Sequence, residues 1–220
     1  MDGALPALAA HVPALARAYG IERRLGRPDV ALTFDDGPHA QGTPAVLAEL
    51  ARHGATATFF LVGEQVDARP ALAREIVDAG HQVAVHGYRH RLLLRRRVAA
   101  VAVDLDRAAA SIEAATGVTS TLYRPPYGVF GASALEHVRG RGWRPLLWSR
   151  WGRDWEARAT PGSIARRATR RLRPGDVVLL HDSDAYSSAD SWRKTVSALP
   201  FVLDAVAALD VDASSVSHAT

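Results

Sequence analysis

The sequence predicts an α/β domain on a mainly parallel sheet, closing toward a barrel, with a short N-terminal helix ahead of it. Three observations predict this. From residue 29 onward, short apolar or β-branched runs alternate with helical stretches, the order expected of βα units. Six or seven such units follow one another, which suits a barrel better than a small open sheet. The polar residues of interest fall just after the strands, where parallel α/β folds build their sites. The predicted division is a helical extension over 1–28, the α/β catalytic domain over 29–212 and a disordered tail over 213–220.

Leu5, Leu8, Val12, Leu15 and Ala16 recur at helical spacing and predict the first helix. Val30 to Phe34 is a buried strand stopped by Asp-Asp-Gly-Pro. Thr43 caps a helix from Pro44 to about His53. Thr56 to Val62 reads as a strand. A helix over Pro70–Ala79 and a strand over Gln82–Val85 follow. A long helix covers Arg97 to Thr116 and ends at Gly117. Ser120 to Arg124 is a short strand, Ala132 to Arg139 a helix, and Trp143 to Ser149 a strand broken by Pro145. Pro161 to Leu172 is a helix, Asp176 to Leu180 a strand, and Trp192 to Leu209 a last helix bent or interrupted at Pro200.

The 220 residues suffice for one substantial core. The absence of cysteine excludes disulfides, thiolate metal sites and cysteine nucleophiles. Lys194 is the only lysine among 27 basic residues, and the formal charge is +4. Arginines cluster at Arg95–Arg97 and again at Arg166, Arg167, Arg170, Arg171 and Arg173. They read as solvated helix faces, and no nucleic-acid motif accompanies them. No apolar stretch is long enough for a membrane span. Asp2, His11, Pro13 and Arg17 break the pattern of an export signal, so a cytoplasmic protein is expected. The oligomeric state is not legible.

Gly37-Pro38 ends the first strand at once, which lets Asp35 and Asp36 turn toward the same mouth. Two close carboxylates resist double ionisation unless a cation sits beside them. If His86 to His90 forms one helical turn, its two imidazoles share a face. With Asp36 they make the two-histidine, one-carboxylate set that catalytic zinc prefers. Arg124 can pair with Asp35. His181 can act as a general acid, and Asp154 can hold it protonated. Trp155 offers an apolar wall. Each residue also has a plainer role open to it: a turn, a structural ion pair, a core histidine or a groove tryptophan.

Thr33 to Pro38, His86 to His90, Arg124 to Gly128, Asp154-Trp155 and Leu179 to Asp182 resemble, in order, the five motifs of the polysaccharide deacetylase family. This is the NodB-homology, carbohydrate esterase family 4 group. The resemblance implies a distorted (β/α) barrel and removal of acetyl groups from N-acetylated sugars. It implies Asp35 as general base, and Asp36, His86 and His90 as ligands of a divalent metal, most often zinc, with cobalt or another divalent ion as alternatives. It further implies Arg124 as the residue orienting Asp35, and the Tyr127 backbone amide as a donor to the oxyanion. His181 is the implied general acid, tuned by Asp154, and Trp155 and Leu179 flank the acetyl methyl.

Two positions depart from the pattern. Gly87 stands where the family has Ser or Thr, and Trp151 stands where it has an Asp. Trp148, Trp151 and Trp155 together suggest a sugar platform, although Trp148, read as part of a strand, is assigned to the core. Ser183 to Ser191 reads as a solvent-exposed connection, with a loop over the cleft as the alternative. The leading function is hydrolysis of N-acetyl amides in poly- or oligosaccharides. Deacetylation of a lipid- or nucleotide-linked sugar is the second reading, and a non-catalytic sugar binder is the third. No G-x-S-x-G segment supports a serine hydrolase.

Overall fold

The computed structural model describes residues 12–94 and 96–216. Among the described residues eight strands form one sheet: β1 (Val30–Asp35), β2 (Thr58–Leu61), β3 (Gln82–Val85), β4 (Leu122–Tyr123), β5 (Arg144–Pro145), β6 (Arg150–Trp151), β7 (Val177–His181) and β8 (Ala213–Ser214). Among the described residues eight α-helices surround it: α1 (Pro13–Ala18), α2 (Gly42–Arg52), α3 (Gly63–Ala68), α4 (Pro70–Asp78), α5 (Val98–Thr116), α6 (Ala132–Gly140), α7 (Pro161–Thr169) and α8 (Ser191–Ala207).

Seven strands run parallel in the order β5-β4-β3-β2-β1-β7-β6, and β8 pairs with the start of β1. β1 lies at the centre, and all six of its residues are buried. An apolar run without alternation is what a strand covered on both faces requires. α7 and α2 pack on α8, while α3 and α4 pack on α5.

The sheet must curl, because β5 and β6 occupy its opposite edges yet follow each other closely in the chain. Six flat strand spacings would separate the edges by about 29 Å. The chain from Pro145 to Arg150 reaches at most about 18 Å. The result is a distorted (β/α) barrel, with no β5–β6 pairing among the described strands.

Several expectations need correction. Of the strand expected over Trp143–Ser149 only Arg144–Pro145 is strand; the next strand, β6, begins beyond it at Arg150 and lies on the opposite edge of the sheet. Pro145 has no N–H for a further ladder, which fits its place on an edge. α2 begins at Gly42, so Thr43 is not its cap. The His39 ring Nδ1 accepts from the Gly42 N–H, while the Thr43 hydroxyl donates to the buried Asp182 carboxylate. α3 was not anticipated, and α8 continues through Pro200. Residues 213–216 of the expected tail are not loose: β8 pairs with β1 and Val216 is buried, while 217–220 lie outside the described residues. Leu5 and Leu8 of the expected first helix lie outside the described residues, as does Arg95; within α1 only Ala16 is buried. Among the described residues, no helix is long and apolar enough to cross a membrane.

Candidate active site

Parallel strands deliver their carboxyl ends to one edge, and the register fixes what meets there. Asp35 lies beside His181 across the β1–β7 pairing, and Trp151 lies beside Leu179 across β6–β7. His86 follows β3, and Arg124 follows β4. A cavity of about 370 Å³ opens at this edge. Asp35, Asp36, His86, His90, Tyr127, Trp155, Leu179 and His181 all line it, while Arg124 and Asp154 stand fully buried behind it.

Both carboxylates reach the cavity because the backbone turns over at Asp36, which adopts φ +80°. Asp tolerates this left-handed region better than most residues. The segment after β3 is not the expected helical turn. It bends at Gly87, φ +88°, and Asp104 holds the bend by accepting from the Tyr88 N–H at 2.9 Å. A glycine suits that backbone, which gives a local reason for the departure at this position. The bend still sets the His86 and His90 rings 5.4 Å apart.

Asp36 Oδ1 is buried and has no hydrogen-bond partner among the described residues. It lies 3.4 Å from His86 Nε2 and 3.2 Å from His90 Nε2. The candidate ligand atoms of these three residues fall within 4.8 Å of one another. His86 Nδ1 meets the Arg124 carbonyl at 2.8 Å. A carbonyl only accepts, so Nδ1 carries the hydrogen and Nε2 presents its lone pair inward. The donor set and the orphaned carboxylate oxygen both fit a divalent cation. The Asp36 carboxyl is held well below the usual carboxylate range. Burial pushes it up, but the neighbouring His86 and His90 imidazoles and the charge of His181 outweigh that.

On one side of this cluster stands the Asp35–Arg124 pair. Arg124 Nη1 donates to Asp35 Oδ1 at 2.6 Å and to Thr33 Oγ1 at 2.9 Å, and Nη2 donates to the Leu147 carbonyl at 3.2 Å. Its guanidinium lies 4.0 Å from the Phe60 ring centre. On the other side, Asp154 Oδ1 meets His181 Nδ1 at 2.9 Å, and Oδ2 accepts from the His181 N–H and the Thr195 hydroxyl, each at 2.7 Å. Nε2 of His181 is thereby left for the cavity. Burial lowers the imidazole pKa, but Asp154, Asp36 and Asp35 together push it up to about 10.

The remaining wall is aromatic. Trp151 stands 5.7 Å from Trp148 and 5.6 Å from Trp155, and all three line the cavity. Trp148 lies between β5 and β6 rather than within a strand; it is buried and also faces the site. Ser183 to Ser191 is not a plain connection, because Tyr186 and Ser187 line the cavity. Tyr186 stacks on His90 at 4.3 Å and 14°. Its hydroxyl donates to Glu64 at 2.9 Å and accepts from Gln65 at 3.1 Å. Tyr127 meets the edge of the same imidazole at 4.6 Å. Tyr186 escaped the sequence reading; its one signal was being the sole aromatic in a polar loop.

Residues 22–146 match the family model for polysaccharide deacetylases. The chain belongs to the polysaccharide deacetylase family. The matched span holds Asp35, Asp36, His86, His90, Arg124 and Tyr127, while Asp154, Trp155, Leu179 and His181 lie beyond it. A chitooligosaccharide deacetylase of Sinorhizobium fredii is 38% identical over 82% of this chain and 86% of its own length. A peptidoglycan-N-acetylglucosamine deacetylase of Listeria monocytogenes is 31% identical over 78% of this chain, which spans only 36% of that protein. Among solved structures, a family 4 carbohydrate esterase from Streptomyces lividans in complex with acetate superposes with a TM-score of 0.76 at 32% identity, over 84% of this chain and 91% of that one. This polysaccharide deacetylase family member therefore shares its fold with enzymes of the carbohydrate esterase family 4 group.

Proposed function

We propose that this family member hydrolyses the N-acetyl amide of N-acetylated amino sugars, releasing acetate and a free amine. The observation that carries the reading is one cavity holding three things side by side: the Asp36–His86–His90 cluster, the Asp35–Arg124 pair and the His181–Asp154 pair. The activities named for the relatives support it.

Asp36, His86 and His90 would hold a divalent ion, with zinc the best match to two imidazoles and a carboxylate. Such an ion polarises an amide carbonyl and makes water a nucleophile near neutral pH. Asp35 takes the proton of the attacking water, and Arg124 aims its carboxylate. The backbone N–H of Tyr127 donates to the oxyanion as it forms. His181, charged through Asp154, gives its Nε2 proton to the leaving nitrogen. Trp155 and Leu179 seat the acetyl methyl, and Leu179 shares the cavity-facing side of β7 with His181 two residues on.

The test is acetate release from N-acetylchitooligosaccharides. Release lost to a chelator and restored by zinc or cobalt supports the reading. No release from metal-loaded protein on any acetylated amino sugar overturns it.

A further inference from the structure

The aromatic wall of the cavity has a second side. Trp151 also lines a neighbouring cleft of about 330 Å³, whose other walls are Ser149, Arg150, Arg153, Arg167 and Arg170. Across Ser149 and Arg150 this cleft continues into another that carries Arg17, Arg23 and Arg24. Part of the second arginine cluster in the sequence therefore lies beside the active site.

The charges around this cleft are not balanced locally. Arg153 and Arg167 share Glu156, at 2.6 and 2.8 Å. Arg24 and Arg150 share Asp176, at 2.5 and 3.0 Å. Arg170 is exposed and makes no ion pair among the described residues. Four guanidiniums thus share two carboxylates, and a fifth stands unpaired among the described residues. Arg150 and Arg24 also donate to the Ser149, Arg171 and Pro174 carbonyls; each guanidinium has five N–H donors in a planar fork, so the donors left for a ligand lie chiefly on Arg153, Arg167 and Arg170. The Arg153 guanidinium also lies 5.7 Å from the Trp151 ring centre, which joins the charged cleft to the aromatic wall.

We propose that this groove binds a phosphate or diphosphate ester carried by the acetylated sugar. The preferred substrate is then an anionic amino-sugar conjugate rather than a neutral glycan. A single carboxylate would leave most of the surplus charge unmatched, whereas phosphate oxygens accept several arginine forks at once. The cleft volume falls within the range of small-ligand sites. This inference rests on the deacetylase reading for its geometry, since the groove serves the substrate of the adjoining cavity.

The experiment compares kcat/KM for acetate release from four substrates. These are neutral N-acetylchitotriose, a carboxylate-bearing N-acetylated glycan, a nucleoside-diphosphate-linked N-acetylglucosamine and a phosphodiester-linked N-acetylglucosamine polymer. At low salt, at least one phosphate substrate should exceed the neutral one by about tenfold or more, and the advantage should shrink as salt screens it. Whichever phosphate substrate leads identifies a nucleotide or a polymer as the source. In an Arg153→Glu/Arg170→Glu variant, the charged-to-neutral ratio should fall about tenfold; Arg170→Gln should lower it less. A ratio near one in the wild-type protein, a lead for the carboxylate glycan, or a ratio the charge reversal leaves unmoved overturns the proposal.

Absence of turnover on every substrate would instead count against the deacetylase reading. The groove is then decided by calorimetry with a nucleoside diphosphate glucose, which lacks the amide. Binding to the wild-type protein that weakens about tenfold in the charge-reversed variant supports the groove. Equal binding to both, or none to either, rejects it. Thermal melts that coincide for variant and wild type rule out misfolding as the cause.

Discussion

Asp35 and His181 lie side by side across β1 and β7, each held by a partner of opposite charge. Arg124 holds one as a base, and Asp154 holds the other as an acid. Asp35→Asn keeps an acceptor for Arg124 and leaves the metal cluster intact. It should lower kcat by at least about 100-fold, the scale of a lost general base, with zinc content unchanged. Near-normal turnover would show that another group takes the proton. For His181, the sign follows from a pKa raised from about 6.5 to about 10. Its contribution to stability is complete below about pH 6.5 and is lost as pH rises through 10. A cation beside Asp36 weakens the pull of that carboxylate, so the metal-loaded enzyme should lose its acid somewhat below pH 10. Asp154→Asn leaves burial to dominate and should move the alkaline limb of kcat/KM to lower pH. An unmoved limb would show that Asp154 does not set the acid. Tyr186 offers a third test. It clamps His90 by stacking, where His86 has a carbonyl. Tyr186→Ala should weaken zinc affinity by about tenfold, in the range of lost outer-shell support, while Tyr186→Phe, which keeps the stack, should not. Zinc competition against a chromogenic chelator measures both. The ordered motifs were legible in the sequence because each closes a strand or follows one within a few residues. Tyr186 was not, since it reaches His90 from a loop about a hundred residues away, and no local pattern encodes that meeting.

At the scale of elements, α2 approaches the turn after β7 closely enough to require a glycine. A Cβ on Gly42 would meet the Asp182 carbonyl oxygen at 2.0 Å and the Trp192 Cβ at 3.0 Å. Gly42→Ala should cost about 1–3 kcal/mol, the usual scale of overpacking, and should lower Tm by several degrees. An unchanged Tm would mean that α2 slides without loss. Long elements with a clear apolar face, such as α5, and buried runs such as β1 were readable from pattern alone. α3 was not, because Gly-Glu-Gln-Val-Asp-Ala has too few apolar positions to show a period. The separation of β5 from β6 was hidden for a related reason: each has two residues, too few to show an alternation.

For the molecule as a whole, the barrel was legible as a count of βα units. Its opening between β5 and β6 was not, because it follows from which strands become edges, a long-range choice. Curling the sheet brings the ends of β1, β3, β4, β6 and β7 around one cavity. That convergence turns scattered aspartates and histidines into a single site with room for one cation. The most direct measurement is therefore a titration of metal-free protein with zinc, following acetate release from an N-acetylchitooligosaccharide at each addition. The rate should rise in proportion to zinc and break at about one equivalent per chain. A rate that is full without metal, or one that never appears at any zinc level on any acetylated amino sugar, would contradict the account.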